Sequence, residues 1–249
     1  MWLIPLVFLV NCKDKEFDPD DPQKSFAIAK EPYDDRNFEI ALNKLGEFKA
    51  RFPYSQYAIE AGLLIANSHF ELSQYPEAAA SYEQFVKLHP KHPQIDFAMF
   101  RIGESYWAEA PEEIDREQEY TERAVMEWQK LLDRNTGSEY SVKARDLMEK
   151  GKRRIAESEQ FIARFYCKRE IWHACAFRYL ALSEKFPEFR EMRQDALMNA
   201  ADALEKLASI KAQDPDSDAN LYFKNMDSKQ ITAKSLELRN RAQVLLRKD

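Results

Sequence analysis

Landmarks in the first half of the chain recur every 37 residues: Phe52-Pro53 and His89-Pro90, Ala41 and Ala78, Ala66 and Gly103. Self-similarity at such a period, on apolar residues at helical spacing, is the mark of stacked helix-turn-helix repeats. A tetratricopeptide unit is about 34 residues long, so each connection here has room for about three more. One such unit cannot bury its apolar face alone and needs neighbours to stack on. Composition agrees, with only 5 Gly and 45% apolar residues in 249. The expectation is an all-α protein, a superhelical solenoid of about five tetratricopeptide repeats.

Each repeat needs small residues where its helices cross and large ones where repeats stack. In the second repeat these are Ala66, His69, Ala78 and Tyr82, with Pro90 stopping the second helix. The first repeat carries Phe38, Ala41, Leu42, Leu45, Phe48 and Phe52 as a helical stripe, and Pro32 should kink or end its first helix. The third has Gly103 and Tyr106, then Ala124 and Trp128 nine residues late, behind an acidic insertion at 110–118 read as an exposed loop. A long helix should run from Glu139 to about Cys167, its later part joining Cys175, Tyr179 and Pro187 in a fourth repeat. The fifth holds Leu197, Ala201 and Leu204, breaks at 212–220, and precedes a closing helix striped by Ile231, Ser235, Leu238, Ala242 and Leu245. Repeats 1–3 then span residues 22–137, and repeats 4–5 with the closing helix span 138–249.

The first 12 residues, MWLIPLVFLVNC, are uncharged, too short to span a bilayer, and resemble a secretory apolar region. Ending in Cys12, they look like a bacterial lipoprotein signal in which that cysteine is lipidated; a buried N-terminal segment is the alternative. Asn11 stands where a small residue is usual, and no basic residue precedes the run. Residues 13–21, KDKEFDPDD, read as a flexible tether. The net charge of −6 and the lack of a basic stripe exclude a nucleic-acid groove.

Enzymatic motifs are missing from the sequence: so few glycines leave no phosphate-cradling loop, and neither H-E-x-x-H nor G-x-S-x-G occurs. The expectation is no enzyme, no cofactor and no metal, with His89 and His92 flanking a turn and His69 in the core. Cys167 and Cys175 could form a disulfide, but Cys175 takes a small crossing position where a thiol packs as a hydrophobe. The inward face of the first helices is the informative surface. It carries Glu60, Leu63, Asn67 and Phe70 in repeat two, Phe97, Phe100, Glu104 and Trp107 in repeat three, and Phe26 and Tyr33 in repeat one. So many aromatics on a solvated face would mark a groove for an extended apolar peptide, with Asn67 meeting its backbone. The competing reading packs these residues against one another or against the N-terminal segment. The charged run Glu149–Arg154 reads as solvated outer surface.

Arg51-Phe52-Pro53-Tyr54-Ser55 and the run from His89 to Phe97, HPKHPQIDF, resemble the BamD (ComL) family, as do Ser138-Glu139-Tyr140, Glu157–Tyr166, the run from Glu184 to Pro187 and the run from Asp195 to Leu197. The resemblance implies a periplasmic lipoprotein held by Cys12 in the outer membrane, within the machinery that inserts β-barrel proteins. It implies docking of the barrel-forming subunit's (BamA-type) periplasmic domains on the C-terminal repeats, around Arg193 and Asp195. Unfolded outer-membrane proteins would be received by their C-terminal strands in the N-terminal groove, and accessory lipoproteins are candidate partners. A periplasmic repeat scaffold for cell-wall or division proteins is the alternative, though it leaves HPKHPQID unexplained.

Overall fold

The computed structural model describes residues 16–134, 136–215, 217 and 223–246. The described residues form helices and connections without strands: α1 (Pro22–Asp34), α2 (Phe38–Arg51), α3 (Tyr57–Glu71), α4 (Tyr75–Leu88), α5 (Ile95–Glu109), α6 (Glu119–Asp133), α7 (Glu139–Lys168), α8 (Trp172–Lys185), α9 (Arg190–Gln213) and α10 (Ser228–Leu246). Helices α1 and α2, α3 and α4, α7 and α8, and α9 and α10 pack as successive hairpins, and α6 packs on α7. The chain is an all-α tetratricopeptide-repeat protein.

The turns inside the repeats share one backbone device. Arg36, Ser73 and Glu170 each sit two residues beyond a first helix with φ of 60°, 58° and 58°. The N–H of Arg36 donates to the Tyr33 carbonyl and that of Asn37 to the Pro32 carbonyl, at 2.9 and 2.7 Å. Ser73 and Gln74 repeat this on Phe70 and His69, and Glu170 and Ile171 on Cys167 and Tyr166. This doubly bonded left-handed cap satisfies carbonyls that a helix end leaves open. Pro32 therefore neither breaks nor ends α1 at once, because the helix runs on to Asp34 and the proline carbonyl serves the cap. The second helices stop differently. Phe52, His89 and Phe186 each close on a carbonyl four residues back, and the proline that follows has no N–H to continue the ladder.

Two compact units divide within α5, one up to Ser105 and the other from Tyr106 onward. The boundary that the repeats suggested, after residue 137, is not where the two compact units divide. The first unit's core gathers Phe17, Phe26, Ala29, Ala41, Leu45, Phe48, Ala61 and Leu64. Phe17 corrects the expected tether. It is buried edge-on against Phe48, with ring centroids 6.3 Å apart, because an aromatic in a charged segment gains most by joining the nearest apolar groove. Ser25 Oγ donates to the Asp18 carbonyl at 2.8 Å and Asp21 caps α1 through the Lys24 N–H, so the chain is docked from residue 17. Cys12 and residues 13–15 lie outside the described residues.

The second unit centres on Tyr179, Leu182, Leu197, Leu204, Leu207, Ile231 and Leu238. Gly151 lets α7 approach α6: a Cβ there would stand 2.6 Å from Val125 Cγ2 and 3.5 Å from Trp107. The insertion at 110–118 is non-helical, but it is not wholly exposed. Gln118 is buried, its amide donating to the Glu113 and Arg116 carbonyls and its oxygen accepting from Thr121. Cys167 and Cys175 form a disulfide across the α7–α8 turn, with Cα atoms 5.0 Å apart. Cys175 thus fills the small crossing position as a cross-link and not as a free thiol.

Candidate functional site

Arg101, on α5, organises the inward face of the first unit. Its guanidinium lies 3.4 Å from the centroid of the Phe70 ring and 5.8 Å from that of Phe97. Nε donates to Tyr82 Oη at 3.3 Å, Nη1 to Glu104 at 3.2 Å and Nη2 to Glu71 at 3.5 Å. Tyr82 Oη in turn donates to Asn67 Oδ1 at 2.7 Å, and Asn67 Nδ2 donates to Tyr33 Oη at 3.2 Å. A polar ladder therefore crosses from α1 through α3 and α4 to α5. Burial pushes the Tyr82 hydroxyl up to about 12, which keeps it a neutral donor and acceptor at any ordinary pH. Burial also works against the Arg101 charge, but Tyr82 and Glu104 outweigh it and its pKa is raised.

The inward residues named by sequence divide on this structure. Phe26, Leu63 and Phe100 are buried and cannot line an open groove. Phe26 stacks on Tyr57 at 5.3 Å and leans on Phe48 at 5.4 Å. Phe26, Leu63 and Phe100 all stand in the core, where the sequence reading had them line a groove. Tyr33, Asn67, Phe70, Phe97 and Glu104 are half-buried and share the ladder or its rings, while Glu60 is exposed. Both ends of the Asn67 amide already serve tyrosines, which leaves one donor and one acceptor. In the second unit, Trp107 sits 5.9 Å from Trp128, with the Arg154 guanidinium 3.9 Å over its ring. Arg154 also donates to the Pro111 carbonyl, and burial draws its pKa down. Arg101 and Arg154 are the residues sequence reading missed. The signal was slight: a cation one residue from a buried aromatic, with Glu104 one turn on.

Arg193 and Asp195 share α9 but face different hollows. Arg193 borders a groove of about 620 Å³ between α9 and α10, floored by Leu197, Ala233, Leu236, Val244 and Leu245. Arg193 is half-buried and its Nε has no hydrogen-bond partner among the described residues. Leu236 and Val244 stand 61% and 53% exposed on the last helix, where a repeat protein ordinarily closes its core with a polar outer face. Asp195 borders a separate cleft between α7 and α9.

The family model described as an outer membrane lipoprotein, YfiO, matches residues 18–219. A Vibrio cholerae protein named outer membrane protein assembly factor BamD is 25% identical over 77% of this chain and 84% of its own. Its Neisseria gonorrhoeae namesake is 27% identical over 63% of this chain and 62% of its own, so that the match spans under two thirds of the relative's length. A solved structure of TPR-like repeats from a Podosopora anserina putative kinesin light chain covers 93% of this chain and 99% of its own at 13% identity, with a TM-score of 0.35, too slight a likeness to bear on a fold that the helix hairpins establish. With most of its length inside the family model, the chain belongs to the YfiO family of outer membrane lipoproteins, the family of the BamD proteins.

Proposed function

We propose that this chain is a non-enzymatic assembly factor for outer-membrane β-barrel proteins. It is anchored through lipidated Cys12 at the periplasmic face of the outer membrane, and it acts by holding a barrel-forming subunit beside unfolded substrate. The names and family description of its relatives support the setting. The observation that carries the docking reading is the α9–α10 groove itself, where exposed Leu236 and Val244 stand beside half-buried Arg193. A periplasmic domain of the barrel-forming subunit would set a carboxylate on Arg193 and an apolar side chain between Leu236 and Val244. Desolvated charge pairs and buried apolar anchors are the usual sources of interface energy. Asp195 stands outside that groove, on the α7–α9 cleft. Substrate strands would meet the first unit at the ring edges of Tyr33, Phe70 and Phe97 and at the amide donor Asn67 has left. No chemical step is required: binding free energy alone brings the two partners together.

The test uses the full chain in detergent micelles and the purified periplasmic domains of the barrel-forming subunit from the same organism. Arg193→Glu and Leu236→Asp should each weaken binding at least tenfold, with helix content by circular dichroism unchanged. Wild-type affinity in both variants would remove the α9–α10 groove from the interface.

A further inference from the structure

The second unit holds a second hollow, independent of the groove just described. A cleft of about 850 Å³ lies between one face of α7 and the α8–α9 corner with the first turns of α9. Its cations come mainly from α7, as Arg145, Lys152, Arg153 and Arg164, with Arg190 from the corner. Lys152 and Arg153 belong to Glu149–Arg154, the run expected on the solvated outer surface. Between residues 143 and 154 the chain carries Lys143, Arg145, Lys150, Lys152, Arg153 and Arg154 against Asp146 and Glu149, a local excess of cations in a chain of net charge −6. The apolar lining is Met148, Phe189 and Met192; unbranched methionines adapt to varied side chains.

The partners of these cations differ. Lys152 is ion-paired with Glu188 at 3.3 Å, and Arg190 donates to the Leu245 carbonyl. Arg153 lies 4.6 Å over the Phe189 ring, which fixes its guanidinium at the cleft without neutralising it. Arg164 donates to Gln160 and also pairs with the Tyr179 hydroxyl, both neutral partners. Arg145 has no ion pair among the described residues. Three guanidiniums on a single helix face therefore border a methionine-and-phenylalanine floor, and none of them makes an ion pair there. Guanidinium forks bind carboxylates in two-point geometry, and the spacing along α7 suits carboxylates carried by one extended segment.

We infer that the α7–α9 cleft is a docking site for an extended acidic segment of a partner protein, one that alternates carboxylates with apolar side chains. The carboxylates pair with Arg145, Arg153 and Arg164, and the apolar residues settle on Met148, Phe189 and Met192. Glu149, Glu191 and Asp195 line the same cleft and repel a segment carrying too many carboxylates, so the site selects alternation over a plain acidic run.

The probe is a fluorescein-labelled synthetic peptide of about twelve residues alternating Glu or Asp with Leu or Phe, titrated with the full chain in dodecyl maltoside micelles and read by anisotropy. The control peptide replaces each acid with Lys. The acidic peptide should bind, at least tenfold tighter than the control, and weaken as salt rises. Arg145→Glu should cost at least fivefold, and Arg145→Glu with Arg164→Glu should reverse the preference towards the Lys peptide. That reversal is a gain which unfolding cannot imitate, and Arg145→Gln gives a milder loss if the double variant fails to fold. Equal binding of both peptides, or an acidic peptide indifferent to Arg145→Glu, overturns the inference. So does Arg145-dependent sedimentation with phosphatidylglycerol vesicles while the acidic peptide stays unbound, which would make the site one for a lipid headgroup. The subunit-binding test on Arg193 reads a different groove, so either result can fail without the other.

Discussion

At the scale of single residues, Tyr82 shows how one hydroxyl can tie three helices. It is fully buried, accepts from Arg101 and donates to Asn67. The phenol's folded pKa, pushed by burial to about 12 from an ordinary 10.0, has a definite sign for stability. A folded state that holds the proton more tightly is favoured fully below the unfolded pKa, and that advantage is lost as pH rises through the folded one. Stability should therefore fall between about pH 10 and 12 by roughly 2–3 kcal/mol on account of this group, at about 1.4 kcal/mol per unit. Lysines titrate in the same window, so the comparison is with Tyr82→Phe. Urea midpoints at pH 9 and 11.5 should lie further apart in the wild type than in the variant. The variant itself costs about 1–2 kcal/mol at pH 7, where it strands Asn67 and Arg101 with one partner fewer. Parallel pH profiles for the two proteins would show that Tyr82 does not titrate with unfolding.

At the scale of elements, the turns inside the repeats are where local propensity and fold disagree. Arg36, Ser73 and Glu170 hold left-handed φ without being glycine, and an L residue there costs about 1–2 kcal/mol relative to glycine. Glycine gives back part of this as unfolded-state entropy. Ser73→Gly should then raise stability by about 0.5–1 kcal/mol, read as a higher denaturant midpoint at unchanged slope; a lower midpoint would mean that the serine side chain contributes more than its strain costs. The same turns explain what could be read beforehand. Pro53, Pro90 and Pro187 mark helix ends in the sequence because no other residue lacks the N–H. The left-handed caps carry no such mark, since Gly is the usual signal and is absent. Phe26 and Phe100, expected to line a groove, are buried, because periodicity cannot distinguish an aromatic that lines a groove from one that closes it. Arg101 and Arg154 escaped because charged residues read as surface until a ring is found beneath them. The disulfide was undecidable from spacing alone, since it depends on how α7 and α8 approach.

At the scale of the whole molecule, repeat proteins gather stability from each unit and its nearest neighbours, without one central core. The two apolar clusters here, one around Phe48 and one around Leu204, belong to separate compact units. Phe48 is fully buried and touches the rings of Phe17, Phe26 and Phe52 at 6.3, 5.4 and 5.2 Å. Phe48→Ala should cost about 3–5 kcal/mol through lost burial and the cavity left behind. If stability is local, that loss stays local. Hydrogen exchange read by mass spectrometry should quicken in peptides from α1, α2 and α3, while peptides from α8, α9 and α10 keep wild-type protection. A uniform loss of protection along the chain would instead mean that the units unfold as one. The distinction bears on function, because Arg101 sits in the first unit and Arg193 in the second. Under the proposed function, locally held stability would let the inner face loosen around a bound strand while the α9–α10 groove stayed ordered for a partner.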